Sequence, residues 1–134
     1  IMVAAGYKLD LTNLIKRNHT IECRINAENA RDFSPSPGTV KFINVPGGRG
    51  VRVDTALYTN YKVNPHYDSL VLKIISKGKD RNEAISIMKR SLDEIIIDGI
   101  DTNIELHKWI LNQNDFINGK YNTNWLEKNI AKFS

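Results

Sequence analysis

The hydrophobic period of this chain changes at Gly78, from strand-like before it to mainly helical after it, and that change restricts the fold more than any single motif. Upstream, "HTIECRINAE" sets Ile21, Cys23 and Ile25 against Thr20, Glu22, Arg24 and Asn26, the period of two expected of a strand with one apolar face. Arg24 falls on the other face. "TVKFINV" and "VRVDTAL" continue as strands, the second with Val51, Val53 and Thr55 on one side, and the glycine turn "PGGRG" between them predicts a hairpin. "SPSPG", residues 34–38, is a turn cluster, because prolines fix φ and glycine permits what they forbid. Leu70 to Ile75 form an apolar run broken only by Lys73, which predicts a buried strand.

Downstream the period lengthens. Asp80 and Glu83 form a capping-box pattern ahead of Ala84, Ile85, Met88, Leu92 and Ile95, which recur at three and four residues and predict an amphipathic helix. "IIIDG" predicts a short strand ending at Gly99. Thr102 and Glu105 repeat the capping pattern before "IELHKWILNQ", with Trp109 and Ile110 expected to face the core. Turns at "NQNDF" and "NGKYNT" lead to a last short helix, "NWLEKNI". The expected class is α+β, an antiparallel sheet covered by a few helices.

Composition bounds the function. With 134 residues, 41% hydrophobic and 25% charged, the chain can bury one core. A net charge of +4, with acidic residues interspersed among the nineteen Lys and Arg, provides no basic stripe for nucleic acid. Cys23 is alone, so no internal disulfide can form and a cytoplasmic setting is expected. The sequence holds no run of about 18 apolar residues and no signal-like start, so no membrane partner is expected. Ile1 to Ala5 read as the end of a helix stopped by Gly6, as though more chain preceded it.

Few residues carry chemistry by pattern. "GGRG" lacks the strand-to-helix setting of a dinucleotide site, and His19, His66 and His107 lie too far apart to predict a metal centre. Cys23 is on the apolar side of its strand and reads as packing rather than a nucleophile. Arg24 and Asp68 differ. An arginine held on a sheet face needs a carboxylate or an anionic ligand. Pattern leaves two readings open: a fixed ion pair between Arg24 and Asp68, or a charged donor fork aimed at an anion.

"HTIECRINAEN", "FSPSPGTV", "PGGRGVRVDT", "PHYDSLVLKI" and "IIIDGIDTNIELHKWIL", in this order and spacing, closely resemble the C-terminal region of biotin carboxylase. The wording of "RINAE" and "SPSPG" is more similar to the component found in bacterial acetyl-CoA carboxylase than to pyruvate carboxylase. The resemblance implies the C-terminal domain over residues 19–134, preceded at 1–18 by the tail of an ATP-grasp region and a linker. It also implies the first half-reaction of acetyl-CoA carboxylase in fatty acid synthesis, an ATP-dependent carboxylation by bicarbonate of biotin held on a carrier protein.

In that family the arginine matched by Arg24 stabilises charge on the biotin ureido group and contacts bicarbonate, and the aspartate matched by Asp68 pairs with it. Arg49 and Arg52 match positions in a two-fold dimer interface. Arg49 departs from the phenylalanine common there, which bears on the strength of dimerisation. Thr123 matches a position at the adenine edge of the nucleotide pocket, with a helix N-cap as its structural alternative.

The implied cofactors are ATP, bicarbonate and Mg2+ or Mn2+. The implied partners are the N-terminal and ATP-grasp regions of the same protein, the biotin carboxyl carrier protein, the carboxyltransferase and a second copy in a homodimer. The family's nucleotide-binding lysines and magnesium-binding glutamates match nothing here. The piece alone is therefore expected to lack ATP-dependent activity, to hold no nucleotide tightly and to bind no metal. Two alternatives stand beside this reading: the same domain from a pyruvate or propionyl-CoA carboxylase, and a non-catalytic dimerisation scaffold.

Overall fold

The structure, a computed structural model, describes residues 1–8 and 18–133. Of the expected tail over 1–18, residues 9–17 lie outside the described residues. Residues 1–5 form a hydrogen-bonded turn where the end of a helix was expected, and Gly6 closes it as foreseen: it takes φ +86°, its N–H donates to Val3 O at 3.0 Å and the Tyr7 N–H to Met2 O at 3.1 Å, a Schellman closure.

The α+β expectation holds. Strand β1 (His19–Asn26) buries Ile21, Cys23 and Ile25 and leaves Glu22 and Arg24 exposed. Short strands β2 (Gly38–Thr39) and β3 (Phe42–Asn44) follow, then β4 (Val51–Thr55), β5 (Lys62–Val63) and β6 (Leu70–Gly78). Helix α1 (Arg81–Glu94), strand β7 (Ile96–Asp98), helix α2 (Ile104–Leu111) and the short helices α3 (Asn114–Ile117) and α4 (Trp125–Asn129) complete the order. The main sheet is antiparallel, β1-β6-β4, with β6 at its centre. The apolar run of β6 suits that place, since both its edges carry partners and one face is covered by α1.

The expected hairpin between "TVKFINV" and "VRVDTAL" does not form. Strand β3 pairs with β7 and strand β4 with β6. Gly48 and Gly50, at φ +96° and +78°, turn the chain toward β6, where the Lys77 N–H donates to Gly50 O at 2.7 Å. "TVKFINV" itself changes partner: Val40 N–H donates to Tyr61 O and Lys41 N–H to Asp98 O, so β2 joins β5 before β3 joins β7.

Ile21, Cys23, Ile25, Leu72 and Ile74 from the sheet meet Ala84, Ile85, Met88 and Leu92 of α1 in the main core. A smaller core gathers Ala27, Val40 and Val63. The first capping pattern forms at the expected residue: Asp80 is the N-cap and its Oδ1 accepts from Glu83 N at 2.9 Å, while Glu83 Oε2 reaches back one residue beyond the cap to accept from Lys79 N at 2.5 Å. The second is not. Helix α2 starts from Asn103, whose side chain makes no capping bond because it is turned toward β1. Leu106 and Leu111, rather than Trp109 and Ile110, are its buried residues, and Trp109 lies against Trp125 and Phe133 at 5.7 Å each. "NQNDF" holds α3 where a turn was expected.

Candidate functional site

Alternation along β1 fixes Arg24 on the face of the sheet away from α1, exposed to solvent. Its backbone points away from β6, since its carbonyl accepts from α2, so Arg24 and its register partner Lys73 form a non-hydrogen-bonded pair. In such pairs the Cα atoms approach to about 4.5 Å and the side chains stand closest. Beyond Lys73 the same row ends on Asp54 of β4. Two cations thus stand side by side, a placement that costs a sheet stability unless an anion lies between them.

Asp54 does not serve that need. Both its oxygens are held by Arg52, from Nε at 2.8 Å and from a terminal nitrogen at 2.9 Å. These bonds, with the Arg52 charge and the more distant Lys73, hold its carboxyl below the usual carboxylate range. Among the described residues no ion pair joins Arg24 to Asp68, so the pairing expected from sequence is not made. Asp68 is exposed in the loop before β6, and its Oδ1 accepts from Leu70 N at 2.8 Å, which shapes the entry to the strand.

Asp68 also borders a cavity of about 280 Å3 with Ala27, Glu28, Tyr67 and Ser69. Glu28, which pattern reading passed over, accepts from Ser69 Oγ and from Asn26 Nδ2 at 3.3 Å. Asn26 Oδ1, two residues along the face from Arg24, is buried without a hydrogen-bond partner among the described residues. Burial and the Glu22 charge push the Cys23 thiol up to about 12, so it is no nucleophile near neutral pH.

Of the other singled-out residues, Arg52 reaches the Arg24 row only through Asp54, and Arg49 and Thr123 share no hydrogen bond or ion pair with Arg24 among the described residues. Arg49, exposed in the Gly48–Gly50 loop, borders a cleft of about 590 Å3 with Lys77, Lys79 and Arg90. Arg52 sits on β4, whose outer edge has no strand partner among the described residues. Thr123 is exposed, with Oγ1 3.4 Å from Asn124 Oδ1; it is not the N-cap of α4, a position taken by Asn124. Among the described residues no cluster of three His, Cys, Asp or Glu is placed to hold a metal ion.

Comparison with known proteins bears on the family and the fold. The family model of the biotin carboxylase C-terminal domain matches residues 22–128. A biotin carboxylase of Pseudomonas aeruginosa is 49% identical over 133 residues, 98% of this chain and 30% of that protein. Among solved structures, the biotin carboxylase of Campylobacter jejuni in complex with beta-gamma-ATP superposes with a TM-score of 0.83 at 43% identity, over 95% of this chain and 29% of that one. The biotin carboxylase domain dimer of Hydrogenobacter thermophilus 2-oxoglutarate carboxylase, in complex with MgADP, ADP and bicarbonate, gives a TM-score of 0.88 at 37% identity. It covers 99% of this chain and 30% of that one. The chain spans about 30% of the length of the relatives it matches.

Proposed function

The chain belongs to the biotin carboxylase C-terminal domain family, and from that premise we propose that it supplies the charge-stabilising arginine of a biotin carboxylase. The observation that carries the reading is Arg24: a guanidinium exposed on a rigid sheet face, in register with Lys73 and with no ion pair among the described residues. A group so placed needs an anion and is already oriented for one.

In the proposed reaction ATP activates bicarbonate as carboxyphosphate, which releases carbon dioxide and phosphate. Biotin on its carrier protein gives its ureido proton to the released phosphate, and the resulting anion attacks the carbon dioxide. Negative charge gathers on the ureido oxygen as this happens, and Arg24 meets it with donors that need little rearrangement. Lys73 raises the local positive potential. Asp68 lines the cavity beside Glu28 and Ser69, where it would support the bound ligands.

The metal implied by the family, Mg2+ or Mn2+, finds no matching donor set among the described residues, so no step is derived through it. Nucleotide and metal handling belong in this reading to the ATP-grasp region of a longer protein, with Thr123 at the adenine edge. Arg49 and Arg52 lie in a homodimer interface, and the carboxyltransferase receives the carboxylated carrier in the cytoplasm.

The acyl acceptor has a second reading. The TM-score of 0.88 to a 2-oxoglutarate carboxylase domain favours a biotin half-reaction shared among carboxylases, with the acceptor set outside this domain. Acetyl-CoA is the acceptor proposed here, because the wording of "RINAE" and "SPSPG" is more similar to the acetyl-CoA carboxylase component and the relative at 49% identity is a biotin carboxylase.

The deciding experiment compares the full-length protein with its Arg24→Ala variant in bicarbonate-dependent ATP cleavage and carboxylation of free biotin, with thermal melting as the folding control. Carboxylation is expected to fall by roughly 100-fold, the scale of losing one preorganised oxyanion donor. Unchanged carboxylation with a lowered melting temperature would make the domain a scaffold.

A further inference from the structure

We infer that Asn103 and His107, on the α2 side of the fold, are positioning residues for Arg24, holding its main chain from the open edge of β1. The inference rests on the reading of Arg24 as the charge-stabilising group.

Strand β1 is outermost in the β1-β6-β4 sheet, so one of its edges pairs with β6 and the other has no strand partner among the described residues. An edge strand left to itself presents unpaired amides and carbonyls and can shift or fray. Here that edge is closed by side chains at the Arg24 end. The Arg24 carbonyl accepts from His107 Nε2 at 2.9 Å and from Asn103 Nδ2 at 3.2 Å. Asn103 Oδ1 accepts from Asn26 N at 2.9 Å, and the Asn103 N–H donates to Asn26 O at 3.3 Å. A carbonyl oxygen can only accept, which places a proton on His107 Nε2.

Four hydrogen bonds thus converge on the main chain of Arg24 and Asn26. Apolar side chains could seal a helix to a strand edge without desolvating an amide, yet Asn103 is buried, with 8% of its surface exposed. A buried carboxamide satisfied on both its atoms fixes the relative position of the two elements to hydrogen-bond tolerance. The guanidinium depends on that anchor, because the long arginine side chain magnifies any movement at its Cα. An error of about 1 Å at a reacting centre can cost about 100-fold in rate.

The test is a double-mutant cycle in the full-length protein, reading kcat for carboxylation of free biotin, KM for bicarbonate and thermal melting. His107→Leu is expected to lower kcat by about 10- to 100-fold, and His107→Gln, whose amide can still donate, to recover most of it. In an Arg24→Ala background His107→Leu should cost less than about twofold more, because the residue it positions is already gone. If His107→Leu lowers kcat by the same factor in both backgrounds, positioning is overturned while the role of Arg24 stands. If Arg24→Ala alone leaves carboxylation intact, both fall. Should His107→Leu fail to fold, Asn103→Asp runs the same cycle, since it keeps the acceptor for Asn26 N and loses the donor to Arg24.

Discussion

His107 ties chemistry to stability through a single ring. Burial holds its imidazole below the usual value, and the hydrogen bond to the Arg24 carbonyl opposes that shift only in part. The native ring is therefore neutral in conditions where an unfolded chain, with an ordinary value of about 6.5, takes up a proton. Stability from this residue is present above that pH and is lost as pH falls through the depressed native value. Urea melts between pH 7 and 5 should show the wild-type midpoint dropping, and His107→Gln should flatten the drop. Cys23 gives a companion expectation: with its thiol pushed up to about 12 in the core, it should resist alkylation at pH 8 until the chain unfolds. The position of Arg24 was legible from alternation alone. What surrounds it was not, because Lys73, Asn103 and His107 reach it across pairings 49 to 83 residues long. Lys73 did leave a trace, as the one charge interrupting an apolar run; Asn103 was hidden inside what reads as a capping pattern.

At the scale of elements, helices were more legible than strand partners. The spacing of Ala84, Ile85, Met88 and Leu92 is local, and all four are buried in α1 as that spacing requires. The hairpin failed for the opposite reason. Strands β3 and β4 each look capable of pairing with the other, and only the packing of β6 and β7 decides against it. The join between β6 and α1 leaves no room for a side chain at Gly78. A Cβ on Gly78 would lie 2.5 Å from Ala84 N, and Ser76 Oγ donates to Ala84 O at 2.9 Å beneath it. Gly78→Ala must therefore push the helix off the sheet, and a loss of about 2 kcal/mol or more is expected in denaturant melts. Met88→Ala, at a fully buried position, should cost about 2–5 kcal/mol by leaving a cavity against β1 and β6.

Across the whole molecule, the sheet separates an apolar side sealed by α1 from a charged side that presents Arg24, Lys73, Asp54 and Arg52 in neighbouring register rows. In the proposed dimer, the open edge of β4 is where a second copy would meet this side. Arg52 is already oriented there, because Asp54 grips its guanidinium through two bonds. That grip raises the Arg52 pKa and lowers that of Asp54, so both stay charged across the physiological range. Arg52→Glu would set two carboxylates where an ion pair stood and reverse the sign offered to a partner. If the proposed dimer uses this edge, sedimentation of the full-length variant should show its dissociation constant raised at least about tenfold, since like charges brought together across an interface are strongly penalised. Asp54→Asn should have a milder effect, because it frees the guanidinium without reversing any charge. Equal dimerisation in wild type and Arg52→Glu would move the interface away from β4 and leave the charged face to the substrate alone.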